Sequence, residues 1–209
     1  MTNGTMRLYT IGHSNHTPER FAELLHETGV TALVDVRSQP YSRYATSFNH
    51  EELARRLADQ GIVHVYLGDR LGGRPSDPRF YDCRGYVLYG EMAASGPFLA
   101  GIERLERLAS ERTVAVMCGE EDPAECHRHV LIARVLLDRG HEVLHVRGSG
   151  DVVSATELFA ARAASQQLSL FEEEPEQWIS TRSVSPGGAR NSSSSPSAPP
   201  ASDDSWTFD

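Results

Sequence analysis

The stretch TVAVMCGEEDPAECHRHVLIARVLLDRGHEVLHV, residues 113–146, decides the fold. Thr113–Met117 is an apolar, β-branched run too short for a helix, so it predicts a strand. Asp122-Pro123-Ala124-Glu125 has the chemistry of a capping box with Pro at the first helical position. It predicts a helix from there to Arg139, where Gly140 ends it, and Glu142–Val146 follows as another strand. Strand–helix–strand repetition of this kind implies a mostly parallel sheet with right-handed crossovers.

The same alternation extends outward. Leu8–Ile11 reads as a first strand, and a helix runs from the cap Thr17 with Pro18 to Thr28, stopped by Gly29. Ala32–Val36 is a strand, Glu51–Gln60 a helix ended by Gly61, and Ile62–Leu67 a strand. A long Gly/Arg/Pro loop leads to a helix over Pro97–Ser110, and Ser154 with Glu157 caps a last helix through Ala164. The expected fold is α/β: a mostly parallel sheet of about five strands with helices on both faces. One domain is expected over 6–165, then a peptide at 166–172, then a disordered Ser/Pro-rich acidic tail over 173–209.

Composition limits the function. All 20 basic residues are Arg, and the net charge of −9 is uneven. Residues 1–150 hold 17 Arg against 20 acids, and residues 151–209 hold 3 against 9. The domain is thus nearly neutral, and no broad basic field marks a binder of duplex DNA. Cys83, Cys118 and Cys126 form an odd set without a disulfide spacing, which fits a reducing compartment. The chain carries no leader pattern and no apolar run of membrane-span length, so a soluble cytoplasmic protein is expected.

In open α/β sheets ligands bind beyond the carboxyl ends of the strands. There the sequence collects Gly12-His13-Ser14, Asp35-Val36-Arg37-Ser38, Leu71-Gly72-Gly73-Arg74, Cys118-Gly119-Glu120 and Cys126-His127-Arg128. Arg37, Arg74 and Arg128, with Ser14, Gly72, Gly73 and a helix N-terminus at Asp122, suit a phosphate; the competing reading pairs each Arg with a carboxylate such as Asp35 or Glu120. His13 or Glu120 is suited to move a proton, with Asp35 orienting. Cys118, at a strand end, is placed for a nucleophilic thiolate, but the acids that follow repel an anion and raise the thiol pKa, which favours a buried structural Cys. Cys126 shares a face with Val130, Ala133 and Leu137, which favours packing. No cofactor is expected: Cys118, Cys126 and His127 are a metal-capable set whose Cys-x7-Cys-His spacing matches no standard zinc pattern.

These strand-end motifs resemble the family catalogued as domain of unknown function 488, over roughly residues 7–150, most specifically in Cys126-His127-Arg128. The resemblance implies a small bacterial or archaeal α/β domain and a site, not a reaction.

Two further features point to nucleic acid. Half of the 16 aromatics lie between Tyr41 and Tyr89, and Tyr41, Tyr44, Phe80 and Tyr81 are interleaved with Arg, as base stacking on single strands requires; a small core of the loops' own is the competing reading. Gln167-Leu168-Ser169-Leu170-Phe171 matches the peptide by which bacterial polymerases and repair proteins dock on the sliding clamp. Gln167 would bond the rim while Leu168, Leu170 and Phe171 fill an apolar groove; packing on the domain is the bland alternative. The sequence therefore predicts a DNA-maintenance enzyme or nucleotide-binding module tethered to the clamp, with single-stranded DNA or a nucleotide as ligand. A thiol-dependent enzyme of the rhodanese or phosphatase kind using Cys118, and a non-catalytic clamp-bound adaptor, stand as alternatives.

Overall fold

The apolar runs form the sheet expected of them in the computed structural model of the protein, which describes residues 4–14, 16–167 and 177–184. The strands are β1 (Arg7–Gly12), β2 (Ala32–Asp35), β3 (Val63–Tyr66), β4 (Val114–Cys118), β5 (Glu142–Val146) and β6 (Val152–Ser154). Their order is β3-β2-β4-β1-β5-β6; all pairs are parallel except β5 with β6. Every residue of β2 and β4 is buried, as strands covered on both faces must be. The antiparallel β6 is an addition to the five strands read from sequence. It is three residues long and partly exposed, too short for a periodicity signal.

The helices are α1 (Pro18–Glu27), α2 (His50–Ala58), α3 (Gly68–Leu71), α4 (Tyr89–Ala93), α5 (Gly96–Glu111), α6 (Arg134–Asp138) and α7 (Ala155–Gln167). Alternate residues of one strand supply two cores. Val114, Val116 and Cys118 join Phe98, Ile102 and Leu105 of α5 and Leu136 of α6. Ala115 and Met117 join Phe21, Leu24 and Leu25 of α1 and Leu53 and Leu57 of α2. This period of two puts Cys118 on the α5/α6 side of the sheet. No helix among the described residues is long and apolar enough to cross a membrane.

The structure corrects the crossover after β4. Asp122 does not open a long helix. Its carboxylate accepts from the Ala124 N–H to cap a 3-10 turn at Pro123–Glu125. Cys126 is then extended (φ −121°, ψ 140°), a π-helical turn runs over Arg128–Ala133, and α6 begins only at Arg134. The Ala124 N–H, expected to face an anion, is therefore spent on the Asp122 carboxylate.

A second difference lies in the part read as tail. Residues 177–184 return to the domain, although the composition from Ser180 onward is that of a disordered segment. Ile179 bridges Leu88 in antiparallel fashion, Ser180 N–H donates to the Val87 carbonyl at 2.9 Å, and the Val87 N–H donates to Ser180 Oγ at 2.9 Å. Trp178 Nε1 donates to the Val130 carbonyl at 2.8 Å, and Arg134 lies over its ring at 4.4 Å. Trp178 supplies the apolar area that local Ser-rich composition lacks. α7 runs to Gln167, so the first residue of the clamp-like peptide ends a helix, and Leu168, Leu170 and Phe171 lie outside the described residues.

Candidate functional site

At the carboxyl edge of β1, β2 and β4 a pocket of about 340 Å³ opens, lined among others by His13, Arg37, Tyr41, Gly73, Arg74, Cys118, Glu120, Cys126 and His127. Its floor is made by two chain reversals held together. The His13 N–H donates to the Cys118 carbonyl at 3.0 Å and the Ser14 N–H to the Gly119 carbonyl at 2.9 Å. A Cβ on Gly12 would lie 1.9 Å from the Glu120 carbonyl oxygen, so this approach of loop to strand requires glycine.

Two sulfurs and an imidazole converge in one wall. His127 Nε2 lies 3.2 Å from the Val36 carbonyl, which can only accept, so Nε2 carries a proton. That fixes the other nitrogen toward sulfur: Nδ1 is 3.5 Å from Cys118 Sγ and 3.8 Å from Cys126 Sγ. Gly73 packs on the ring, where a Cβ would meet its atoms at 2.7 Å. The hydrogen bond from Cys126, the charge of His127 and the Glu120 backbone N–H hold the Cys118 thiol well below its ordinary pKa, against burial. Burial first, and the neighbouring Cys118 second, push Cys126 the other way. Burial opposes charge on His127, but Cys118 and the Val36 carbonyl outweigh it and raise its pKa.

The opposite rim is cationic but largely paired. Arg37 is buried; its Nε donates to Asp35 Oδ1 at 2.9 Å, and its Nη2 to Asp35 Oδ2 at 2.6 Å and to the Phe48 carbonyl at 2.7 Å. Its Nη1 is 3.3 Å from His13 Nε2, and His13 Nδ1 faces the Ser14 carbonyl at 3.2 Å. His13 is therefore neutral, its pKa lowered by burial and then by Arg37, and its ring stacks on Phe48 at 4.6 Å. Arg74 is exposed and makes no ion pair among the described residues; its backbone N–H donates to Ser38 Oγ at 2.9 Å. Arg182 pairs with Glu120 at the mouth.

Several sequence readings need correction. Arg128 is not a phosphate ligand of this pocket: it is fully buried, donating to Thr10 Oγ1 at 3.2 Å and the Glu121 carbonyl at 2.6 Å. Asp35 does not orient His13 directly, because the Arg37 guanidinium stands between them. Ser14 and Gly72 are close to the site but outside its lining, Gly72 being wedged against Ser38 and the Gly68 carbonyl. Phe80 and Tyr81 are half-buried and pack against the main core, with Tyr81 Oη donating to the Pro75 carbonyl at 2.8 Å. Tyr41 and Tyr44 do stand out, 59% and 84% exposed, Tyr41 at the pocket and Tyr44 under Arg43 at 4.7 Å. His13, Arg37, Gly73, Arg74, Cys118 and Glu120 come together as read.

Sequence reasoning missed Tyr89, Thr181 and Arg182, which also line the pocket. Tyr89 is buried, and that burial raises its phenol pKa, but in sequence it is one apolar-run residue among many. Arg182 sits in a Ser-rich stretch with no local signal at all.

The chain belongs to the family described as Domain of unknown function DUF488, whose pattern matches residues 17–135, more than half of its length. No match was found among curated proteins or among solved structures. The matched span contains Cys118, Cys126 and His127 but neither His13 nor the strap at 177–184.

Proposed function

We propose that this protein is an enzyme of DNA maintenance that takes a phosphate-bearing nucleotide into the carboxyl-edge pocket and is tethered to the sliding clamp through Gln167–Phe171. The observation that carries the reading is the pairing, across one pocket of about 340 Å³, of a sulfur–imidazole wall with a cationic rim. That volume is in the range of small-ligand sites. Arg37 is neutralised by Asp35, so phosphate contact falls to Arg74 and Arg182. The Arg182–Glu120 pair is half exposed and worth little, so exchange of Glu120 for a phosphate costs little. Tyr41 offers a stacking face beside the mouth. The acidic groups Glu120 and Glu125 in the lining favour a small or single-stranded ligand over the dense charge of a duplex.

The test is calorimetric titration of the full chain with nucleoside monophosphates and a short single-stranded oligonucleotide. Arg74→Ala removes an exposed side chain and should weaken binding about tenfold or more, the worth of one charged hydrogen bond. Trp178→Ala, which releases the strap carrying Arg182, should do the same. Affinity unchanged in both variants, or no binding at all, would sink the reading. A second reading, a thiol-dependent enzyme without a link to DNA, is favoured by Cys118 Sγ lying 3.5 Å from His127 Nδ1. It uses the same pocket and differs in requiring Cys118 to be free of any ligand.

A further inference from the structure

We propose that Cys118, Cys126 and His127 hold one zinc ion whose fourth coordination position opens into the pocket. The argument is geometric. Zinc binds thiolate sulfur at about 2.3 Å and imidazole nitrogen at about 2.0–2.1 Å, so tetrahedral coordination sets sulfur and nitrogen about 3.5 Å apart. The two sulfur–Nδ1 separations here are 3.5 and 3.8 Å, and all three ligand atoms lie within 4.8 Å of one another. One nitrogen within 3.8 Å of two sulfurs is the spacing that a shared metal requires.

The surroundings fit as well. The remote nitrogen of a metal-binding His is usually tied to a carbonyl or carboxylate, which fixes tautomer and ring plane, and His127 Nε2 has the Val36 carbonyl in that place. Gly73 backs the ring. Cys118 ends the central strand β4, and Cys126 is buried in the core, so the ligands sit on rigid elements. Two thiolates and one imidazole select a soft divalent ion, zinc first among the abundant ones. Three protein ligands and an open side are the arrangement of catalytic rather than structural zinc.

A second cluster, Asp35, His50 and His64, also brings its ligand atoms within 4.8 Å of one another, and His50 Nδ1 and His64 Nε2 are buried without hydrogen-bond partners among the described residues. Its carboxylate is held on both oxygens by Arg37, whose fixed positive charge opposes a cation there. The cysteine cluster has no such obstacle. What the zinc acts on rests on the nucleotide reading of the pocket; a water or substrate oxygen in the fourth position would be polarised toward it.

The test uses the full chain, reduced, stripped with a chelator and titrated with zinc and with cobalt(II). The expected result is one metal per chain, with the thiolate-to-cobalt charge-transfer band and tetrahedral visible bands. Cys126→Ser and His127→Ala should each weaken zinc binding more than about 100-fold, and Cys83→Ser, which alters an exposed cysteine, should leave it unchanged. Absence of a thiolate–cobalt spectrum from the folded, reduced protein overturns the assignment, as does a spectrum that survives Cys126→Ser. Should either variant fail to fold, zinc-edge X-ray absorption of the wild type decides: two sulfurs and one nitrogen support the site, an all-oxygen shell refutes it. Nucleotide titration with and without zinc separates failure of this inference from failure of the pocket reading.

Discussion

Thr10→Val should cost about 3–5 kcal/mol of stability although it changes almost no volume. Thr10 is fully buried on β1, and its Oγ1 receives Arg128 Nη1 at 3.2 Å and contacts His145 Nδ1 at 2.6 Å. His145 Nε2 in turn lies 2.9 Å from His129 Nδ1, and His129 stacks on Phe159 of α7 at 4.0 Å. A consistent direction of donation runs from Arg128 to the hydroxyl, from the hydroxyl to His145, and from His145 to His129. Valine breaks it in two places. Arg128, buried with Nε already lacking a partner among the described residues, keeps only the Glu121 carbonyl. Loss of a bond to a buried charge is worth about 1.5–3 kcal/mol, and an orphaned His145 Nδ1 another 1–3 kcal/mol. Domains of this kind have about 5–15 kcal/mol in all, so the variant should be marginal. Urea unfolding of wild type, Thr10→Val and Thr10→Ser measures it. Serine restores the hydroxyl and should recover all but about 1 kcal/mol of the loss. A valine variant within 1 kcal/mol of wild type, or a serine variant as damaged as valine, refutes the relay.

Two other outcomes follow from single groups. Burial, then His129, Arg128 and Arg147, lower the His145 pKa from 6.5 to about 2, so the unfolded chain takes up its proton first. His145 therefore contributes fully above about pH 6.5 and loses up to about 1.4 kcal/mol per pH unit below it; urea midpoints from pH 7 to 5 should fall with a slope about one proton shallower in His145→Gln, and equal slopes would discard the assignment. Leu170→Ala with Phe171→Ala should abolish pull-down of the full chain on a bacterial sliding clamp while leaving its melting temperature unchanged, and undiminished capture removes the tether.

The sheet and the edge at which the polar residues gather are legible because both follow from period and topology. Apolar runs at strand length separated by capped helices admit few arrangements, and a parallel sheet sends every strand-to-helix loop to one edge. His13, Arg37, Arg74 and Cys118 were placed correctly on that ground alone. What could not be read depends on contacts between distant parts of the chain. Asp122–Glu125 carries the chemistry of a helix start, and a 3-10 turn uses the same atoms, so only packing distinguishes them. The strap at 177–184 is ordered by Val87, Val130 and Arg134, none of which its own composition reveals. Arg128 carries a charge that reads as surface or site, and it is satisfied instead by a hydroxyl on β1, more than a hundred residues away.

That burial explains how the sulfur–imidazole wall is positioned. Cys126, His127 and Arg128 are consecutive, yet His127 lines the pocket while Arg128 runs inward to Thr10 and Glu121. The extended backbone at Cys126 and the wide π-helical turn that begins at Arg128 let neighbours face opposite ways, which the regular helix read from sequence would not. Arg128 thereby ties the crossover to β1 and to the loop after β4, the elements that also fix His13 and Cys118. His127 is held from its other side by the Val36 carbonyl just beyond β2. Three adjacent strands thus set the separation of one nitrogen from two sulfurs. A buried arginine outside the pocket holds the distances on which the proposed metal site depends.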